Sequence, residues 1–408
     1  MASTMTATAA HERRIAEIQQ ALQGTLGLDG WLFYDFRGSD PLAYRVLRLD
    51  PTGHVTRRWY YWVPAYGSPT KLMHRIEAHT LDQLPGDTML YASWDEQRGC
   101  LTRILTGAKR AAMQYSPMNA IPYISRVDAG TIELVRSIGV EVTTSADLVQ
   151  RFEAVWDDSQ LASHREAAET LRRIVDDSFG HVAASLATSR LLTEYDLQQF
   201  ILQCFQKEGL TTSSPPIVAV NAHSADPHYS PSPQGSAPIA EGDLLLIDLW
   251  AKRAEPGSVY ADITWTGFVG QVTPIHHCEI FDTVREARDA ALAFVRARVE
   301  AREFPCGWEV DEVCRQIIRA AGYGDRFVHR TGHSIGEEVH GNGANLDNLE
   351  THDARRLIPR TCFSIEPGIY LSGQFGIRSE LDVYISDCEA LVFGQPVQTQ
   401  LVAILKRA

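Results

Sequence analysis

Asp248, Asp262, His333, Glu366 and Glu380 offer four carboxylates and one imidazole, a hard, oxygen-rich donor set. Each lies in a short segment with its own character: LLLIDLW and YADITWT for the aspartates, HRTGHSIGEEVH for the histidine, FSIEPGIY and GIRSELDVYI for the glutamates. Carboxylate oxygens favour Mn²⁺, Co²⁺, Mg²⁺ or Zn²⁺, and a single imidazole tilts the balance toward the transition ions. Two ions suit this set better than one. A lone dication facing four carboxylates leaves a net negative cluster, whereas two ions sharing bridging carboxylates neutralise it and hold a hydroxide between them. The chemistry implied is hydrolysis.

Those residues need a scaffold, and the hydrophobic pattern outlines one. LLLIDLW and YADITWTGFVG read as strands joined by AKRAEPGS, which lets Asp248 and Asp262 face one another across a hairpin. In GIRSELDVYI the alternation places Arg378, Glu380 and Asp382 on one face and Ile377 and Leu381 on the other. Taken alone, such a charged stripe reads as the solvent face of an edge strand. SHREAAETLRRIVDDSFGHVAASLA is a long helix. TEYDLQQFILQCFQKEG is another, with Thr193 as N-cap and Gly209 placed to end it. FDTVREARDAALAFVRARVEA and WEVDEVCRQIIRAAG read as amphipathic helices, and the chain from Thr361 onward returns to strands. Earlier, GWLFYDF, RRWYYWVPA and TMLYASW read as strands and IELVRSIGVEV as helix then strand. The expectation is an α/β (α+β) protein of two domains, 1–157 and 158–408.

Bulk properties narrow the partners. At 408 residues, 44% hydrophobic and 22% charged, the chain can build substantial cores. A net charge of −13 argues against nucleic acid or an anionic membrane as partner. MASTMTATAAHERRIAEIQQAL has charged residues where a signal peptide needs an apolar run, and no stretch reaches the length of a membrane span. Seven scattered cysteines without CxxC spacing fit a reducing compartment. A cytoplasmic location is expected.

Read in order, the segments resemble the pita-bread metallopeptidases, in particular the Xaa-Pro dipeptidase (prolidase) and aminopeptidase P branch. The resemblance covers roughly residues 160–400 and rests on His228-Tyr229, Asp248, the YADIT string ending at Thr264, GHSIGEEVH, SIEPGIY and GIRSE. It implies a pita-bread catalytic domain preceded by a smaller, creatinase-like α/β domain, in a homodimer. It implies two divalent ions, with Mn the first choice and Co or Zn the alternatives. Asp262 and Glu380 would bridge them, Asp248 would hold one, and His333 with Glu366 the other. The bridging hydroxide would attack, and Glu366 would pass a proton to the leaving proline nitrogen. His228 and His340 would donate hydrogen bonds to the substrate carbonyl or intermediate, with His329 a weaker candidate. Arg378 would orient Glu380 through a salt bridge. The substrate would be a small peptide with proline at its second position.

The chain also departs from that pattern. The interval from Asp248 to Asp262 is longer than usual, Trp250 and Ala251 follow the first aspartate where relatives have glycine and then tyrosine, and Trp265 stands where many have arginine. After His340 the chain reads Gly341-Asn342-Gly343-Ala344, without the arginine that would face the substrate's carboxylate. The resemblance therefore implies Xaa-Pro dipeptide hydrolysis with altered carboxylate recognition, as in a compact bacterial subgroup lacking the same tyrosine and arginine. The alternatives are aminopeptidase P-like removal of one residue from longer peptides and a non-catalytic pita-bread binding module. Creatinase shares the fold but not the metal set. The presence of all five ligands stands against the last two.

Overall fold

The structure, a computed structural model, describes residues 2–406, with side chains from residue 9 onward. The chain forms two compact units, Met1–Glu153 and Ala154–Ala408. The division falls after Glu153, and Trp156 packs within the second unit. Its ring stacks on Tyr384 at 5.6 Å, and its backbone N–H donates to Arg360 at 2.7 Å.

The first unit runs α1 (Ala2–Gln23), β1 (Gly30–Asp35), α2 (Pro41–Leu47), β2 (Trp59–Pro64), β3 (Thr70–His74), β4 (Asp87–Tyr91), α3 (Trp94–Ile104), β5 (Arg110–Met113), α4 (Ala129–Ser137), β6 (Glu141–Thr144) and α5 (Ala146–Glu153). Its strands form one mixed sheet in the order β4-β3-β2-β1-β5-β6. GWLFYDF and RRWYYWVPA are apolar or aromatic at successive positions because helices cover both faces. Trp31, Phe33, Trp59 and Tyr61 share a core with Ile18 of α1, Leu42 of α2 and Val149 of α5. Leu32, Tyr34, Tyr60 and Trp62 share another with Leu101 of α3 and Val135 of α4. The sequence pattern had not marked β3 and β5, which are only five and four residues long.

The second unit continues with α6 (Asp158–Ala187), α7 (Glu194–Lys207), β7 (Leu210–Thr211), β8 (Ile217–Val220), β9 (Leu244–Arg253), β10 (Ala261–Phe268), α8 (Ile275–Glu300) and α9 (Gly307–Ala320). The strands β11 (Ser334–Ile335), β12 (Cys362–Ile365), β13 (Gly368–Leu371), β14 (Phe375–Arg378), β15 (Leu381–Ile385), β16 (Ala390–Val392) and β17 (Val402–Ala403) complete it. Thr193 caps α7 by accepting from the Asp196 N–H, and Gly209, at φ 70°, turns the chain away after its end.

Strand alternation explains how this unit holds a polar interior. Leu245, Ile247, Leu249, Ile263 and Trp265 of β9 and β10 pack on α6 and α7 through Leu171, Val175, Leu197 and Ile201. Phe363, Ile365, Leu381, Val383 and Ile385 of β12 and β15 pack on α8 and α9 through Phe281, Val284, Val310 and Ile318. The intervening residues of both strand pairs therefore project away from the helices. Those residues include Asp248, Asp262, Thr264, Ser364 and Asp382, and all five are buried. No helix among the described residues is long and apolar enough to cross a membrane, and no disulfide joins the cysteines there.

Candidate metal centre

The hairpin of β9 and β10 carries the two aspartates with a register offset. Asp248 lies opposite Thr264 and Asp262 opposite Trp250, so the aspartates share a face diagonally and are not direct cross-strand partners. The longer interval between them is absorbed in the connection 254–260, beyond the last paired residues. The stripe Arg378, Glu380, Asp382 is not a solvent face. The backbone leaves β14 at Arg378 and enters β15 at Leu381, and all three side chains are buried opposite the aspartate hairpin. Thr264 ties the two sides together, its hydroxyl donating to Glu380 Oε2 at 2.7 Å while its backbone carbonyl accepts from the Glu380 N–H at 3.3 Å.

His333 arrives from a loop pressed against β12. Its N–H donates to Ser364 Oγ at 3.0 Å and its carbonyl accepts from the Ser364 N–H at 2.9 Å. Gly332 makes this possible, because a Cβ there would sit 1.9 Å from the Ser364 carbonyl oxygen. The ring sets Nδ1 3.2 Å from its neighbour Ser334's carbonyl, which assigns the proton to Nδ1 and leaves the Nε2 lone pair for a ligand. Nε2 lies 3.4 Å from Glu366 Oε1 and 3.6 Å from Asp262 Oδ2. Burial lowers the His333 pKa from its ordinary value, which favours the neutral, ligating form. Donor atoms of Asp262, His333 and Glu380 lie within 4.8 Å of one another.

Two observations test whether this donor set suits metal ions. Asp248 Oδ1, Asp262 Oδ1 and Glu380 Oε1 are buried without a hydrogen-bond partner. Burial, then the neighbouring carboxylates, raises the pKa of Asp262 and Glu380 well above the usual carboxylate range. Unpartnered oxygens converging with like charge are what a bound dication would relieve. The residues present fit divalent cations.

Arg378 corrects one expectation. Its guanidinium pairs with Asp248, not with Glu380. It reaches Glu380 only through Thr264, whose Oγ1 accepts from Arg378 Nε at 3.0 Å, and its third contact is the Tyr370 hydroxyl at 3.0 Å. Tyr370 in turn lies 2.7 Å from His329 Nε2, and His329 Nδ1 lies 2.7 Å from the Arg330 carbonyl. His329 is thus held in a buried network, its pKa lowered to about 3 by burial and then by the charge of Arg378. His340 meets the His333 ring edge-on at 4.4 Å, and its own ring is lowered to about 3 by His333, burial, Arg330 and His228 in that order. His228 and His340 are both exposed, His340 against the His333 ring and His228 near enough for its charge to act on His340.

Thr264, Tyr370 and Asp382 had drawn no role from the sequence. Asp382 accepts the backbone N–H of Asp262 at 2.8 Å, with buried His164 3.9 Å away. Period two was the available signal: Thr264 follows Asp262, and Asp382 follows Glu380, by two residues.

The model of metallopeptidase family M24 matches residues 162–387, more than half of the chain and nearly all of the second unit. The chain belongs to metallopeptidase family M24. It is similar to the "Probable dipeptidase PepE" of Mycobacterium tuberculosis, with 28% identity over 330 residues and 80% of each chain covered. It is also similar to the Xaa-Pro dipeptidase of Lactobacillus delbrueckii subsp. lactis, with 30% identity and 60% of each covered. Among solved structures, dipeptidase PepE from Mycobacterium ulcerans superposes with a TM-score of 0.69 at 25% identity, covering 97% of this chain and 98% of that one. Xaa-Pro dipeptidase from Bacillus anthracis gives 0.60 at 22%, covering 96% and 99%. The fold is that of the two-domain pita-bread peptidases. As an M24 metallopeptidase, the chain hydrolyses peptides with divalent metal ions.

Proposed function

We propose that this M24 peptidase cleaves the Xaa-Pro bond of dipeptides with two divalent ions, manganese first among them. The observation supporting the metal reading is that donor atoms of Asp262, His333 and Glu380 lie within 4.8 Å of one another, while Asp248, Asp262 and Glu380 each keep a buried oxygen without a partner. Asp248, Asp262, His333, Glu366 and Glu380 would hold the ions, with Asp262, His333 and Glu380 already gathered in one group. Bound there, the ions supply an ionised water near neutral pH and polarise the scissile carbonyl.

The chain's own residues do the remaining work. Glu366, next to His333 Nε2, is placed to carry a proton toward the leaving nitrogen. His228 and His340, both exposed, donate to the carbonyl oxygen as charge develops on it. Arg378 holds Asp248 and, through Thr264, Glu380, so that both keep their ligating orientation. The arginine that would face the substrate carboxylate beyond His340 is absent, so recognition of that carboxylate is altered.

A metal-loading assay with paired substrates tests this. With Mn²⁺ or Co²⁺, an Xaa-Pro dipeptide is expected to release proline faster than the matching Xaa-Pro-Yaa tripeptide is cut. No proline release after loading overturns the reading, and preference for the tripeptide turns it into an aminopeptidase P activity. A homodimer in the cytoplasm belongs to the same reading, checked by light scattering of the purified protein and by fractionation.

A further inference from the structure

The segment between β8 and β9 carries His228, and its conformation converges on one buried side chain. Glu194, the first residue of α7, is wholly buried, yet nothing in the metal centre uses it. Its carboxylate accepts the Val220 N–H at 2.7 Å, the Ala237 N–H at 2.8 Å and the Tyr229 hydroxyl at 2.6 Å. His223 Nδ1 lies 2.9 and 3.0 Å from the two oxygens. Glu194 also donates its own N–H to the Ala237 carbonyl at 3.0 Å. The His223 ring stacks on Tyr229 with centroids 4.4 Å apart and planes 22° apart, so the two side chains reach the carboxylate as one block.

These contacts fall at both ends of segment 220–237 and twice between them, the second being the residue after His228. The His228 N–H is itself turned onto Asp226 Oδ1 at 3.0 Å, and its ring is left exposed. An apolar residue at 194 would fill the same space at lower desolvation cost. Only an acceptor with four donors in fixed directions sets the path of the loop, and the first turn of a helix is a favourable place for its charge.

We propose that Glu194 is a positioning residue for hydrolysis, holding segment 220–237 so that His228 meets the substrate carbonyl. The inference rests on the proposed role of His228. It predicts that Glu194 acts through His228 and not through the metal ions.

Glu194→Gln, His228→Ala and the double variant in the metal-loaded full chain test this, with metal content, kcat and KM measured and amide exchange followed over 220–237. The isosteric glutamine replaces one acceptor oxygen by a donor. It is expected to lower kcat on the order of 10²-fold with KM and metal content nearly unchanged, and to speed exchange of the loop amides. Tyr229→Phe, which keeps the other contacts, falls between it and wild type. The double variant is expected to be no slower than His228→Ala alone, as for two residues acting in one unit. Losses that multiply, a loss of metal from Glu194→Gln, or unchanged loop exchange overturn the inference alone. Full activity of His228→Ala overturns the proposed role of His228 and this inference with it.

Discussion

Two populations of buried acid occupy the second unit, and they differ in what surrounds them. Asp311 accepts the Thr331 and Asn348 N–H groups and both arms of Arg315, and Asp353 accepts the Asn345 N–H and both arms of Arg355. Asp248, Asp262 and Glu380 are also buried, yet each keeps an oxygen with no partner. A buried carboxylate is costly unless its lone pairs are used. The first population uses them to shape the loops that carry His333. The second leaves them unused, which is a liability in a scaffold and an asset in a ligand set.

The sharpest way to break that contrast is to remove Asp262. Asp262→Ala is expected to lower peptide hydrolysis on the order of 10³-fold and to reduce bound metal at both sites. Steady-state assays with metal analysis check this, and full metal content with retained activity would erase the distinction. Next, Asp311→Ala strands Arg315 in the interior and is expected to cost about 3–5 kcal/mol of stability. Chemical denaturation of the metal-loaded variant measures it, and a loss much below that range would mean the saturated acids are not structural.

A smaller effect has the opposite sign. In metal-free protein, Asp262→Asn relieves the cost of burying the carboxylate and its repulsion by Asp248 and Glu366, and is expected to stabilise by about 1 kcal/mol, at the expense of function. A lower melting temperature for the metal-free variant would place Asp262 with the architectural acids.

The smallest effect lies in the first unit and sharpens the rule. Asp40 caps α2 through the Ala43 N–H but leaves Oδ2 unpartnered, and burial raises its pKa to about 7. The folded state therefore binds the proton more tightly than the unfolded one. This contribution to stability is fully present below the ordinary aspartate range and is lost as pH rises through about 7. Asp40→Asn keeps the cap and is expected to flatten the fall in melting temperature between pH 4 and pH 8. An unchanged slope would remove Asp40 as its source. One under-satisfied acid is thus a pH liability, whereas Asp262 and Glu380, gathered with His333, form a group that could hold a metal ion.

Much of this was legible in the chain. The five donors stand in short strings whose order carries the family resemblance, and Thr193 announces the start of α7 by its own side chain. Other features were not legible, because they depend on partners far away in sequence. The stripe of Arg378, Glu380 and Asp382 is compatible with solvent or with a polar interior, and only the second sheet opposite decides between them. Arg378 is two residues from Glu380, yet it pairs with Asp248, 130 residues away. Nothing near Glu194 in sequence shows that it gathers Val220, His223, Tyr229 and Ala237.

The sequence by itself determined the donor chemistry, the strand alternation and the helix ends, because each depends on residue type and on neighbours within a few positions. Only the tertiary structure decided which oxygens remain unpartnered, which acid Arg378 neutralises, and which buried carboxylate holds the loop of His228. Satisfaction of a polar atom belongs to its surroundings, and those surroundings come from strands and loops that the chain brings together only on folding.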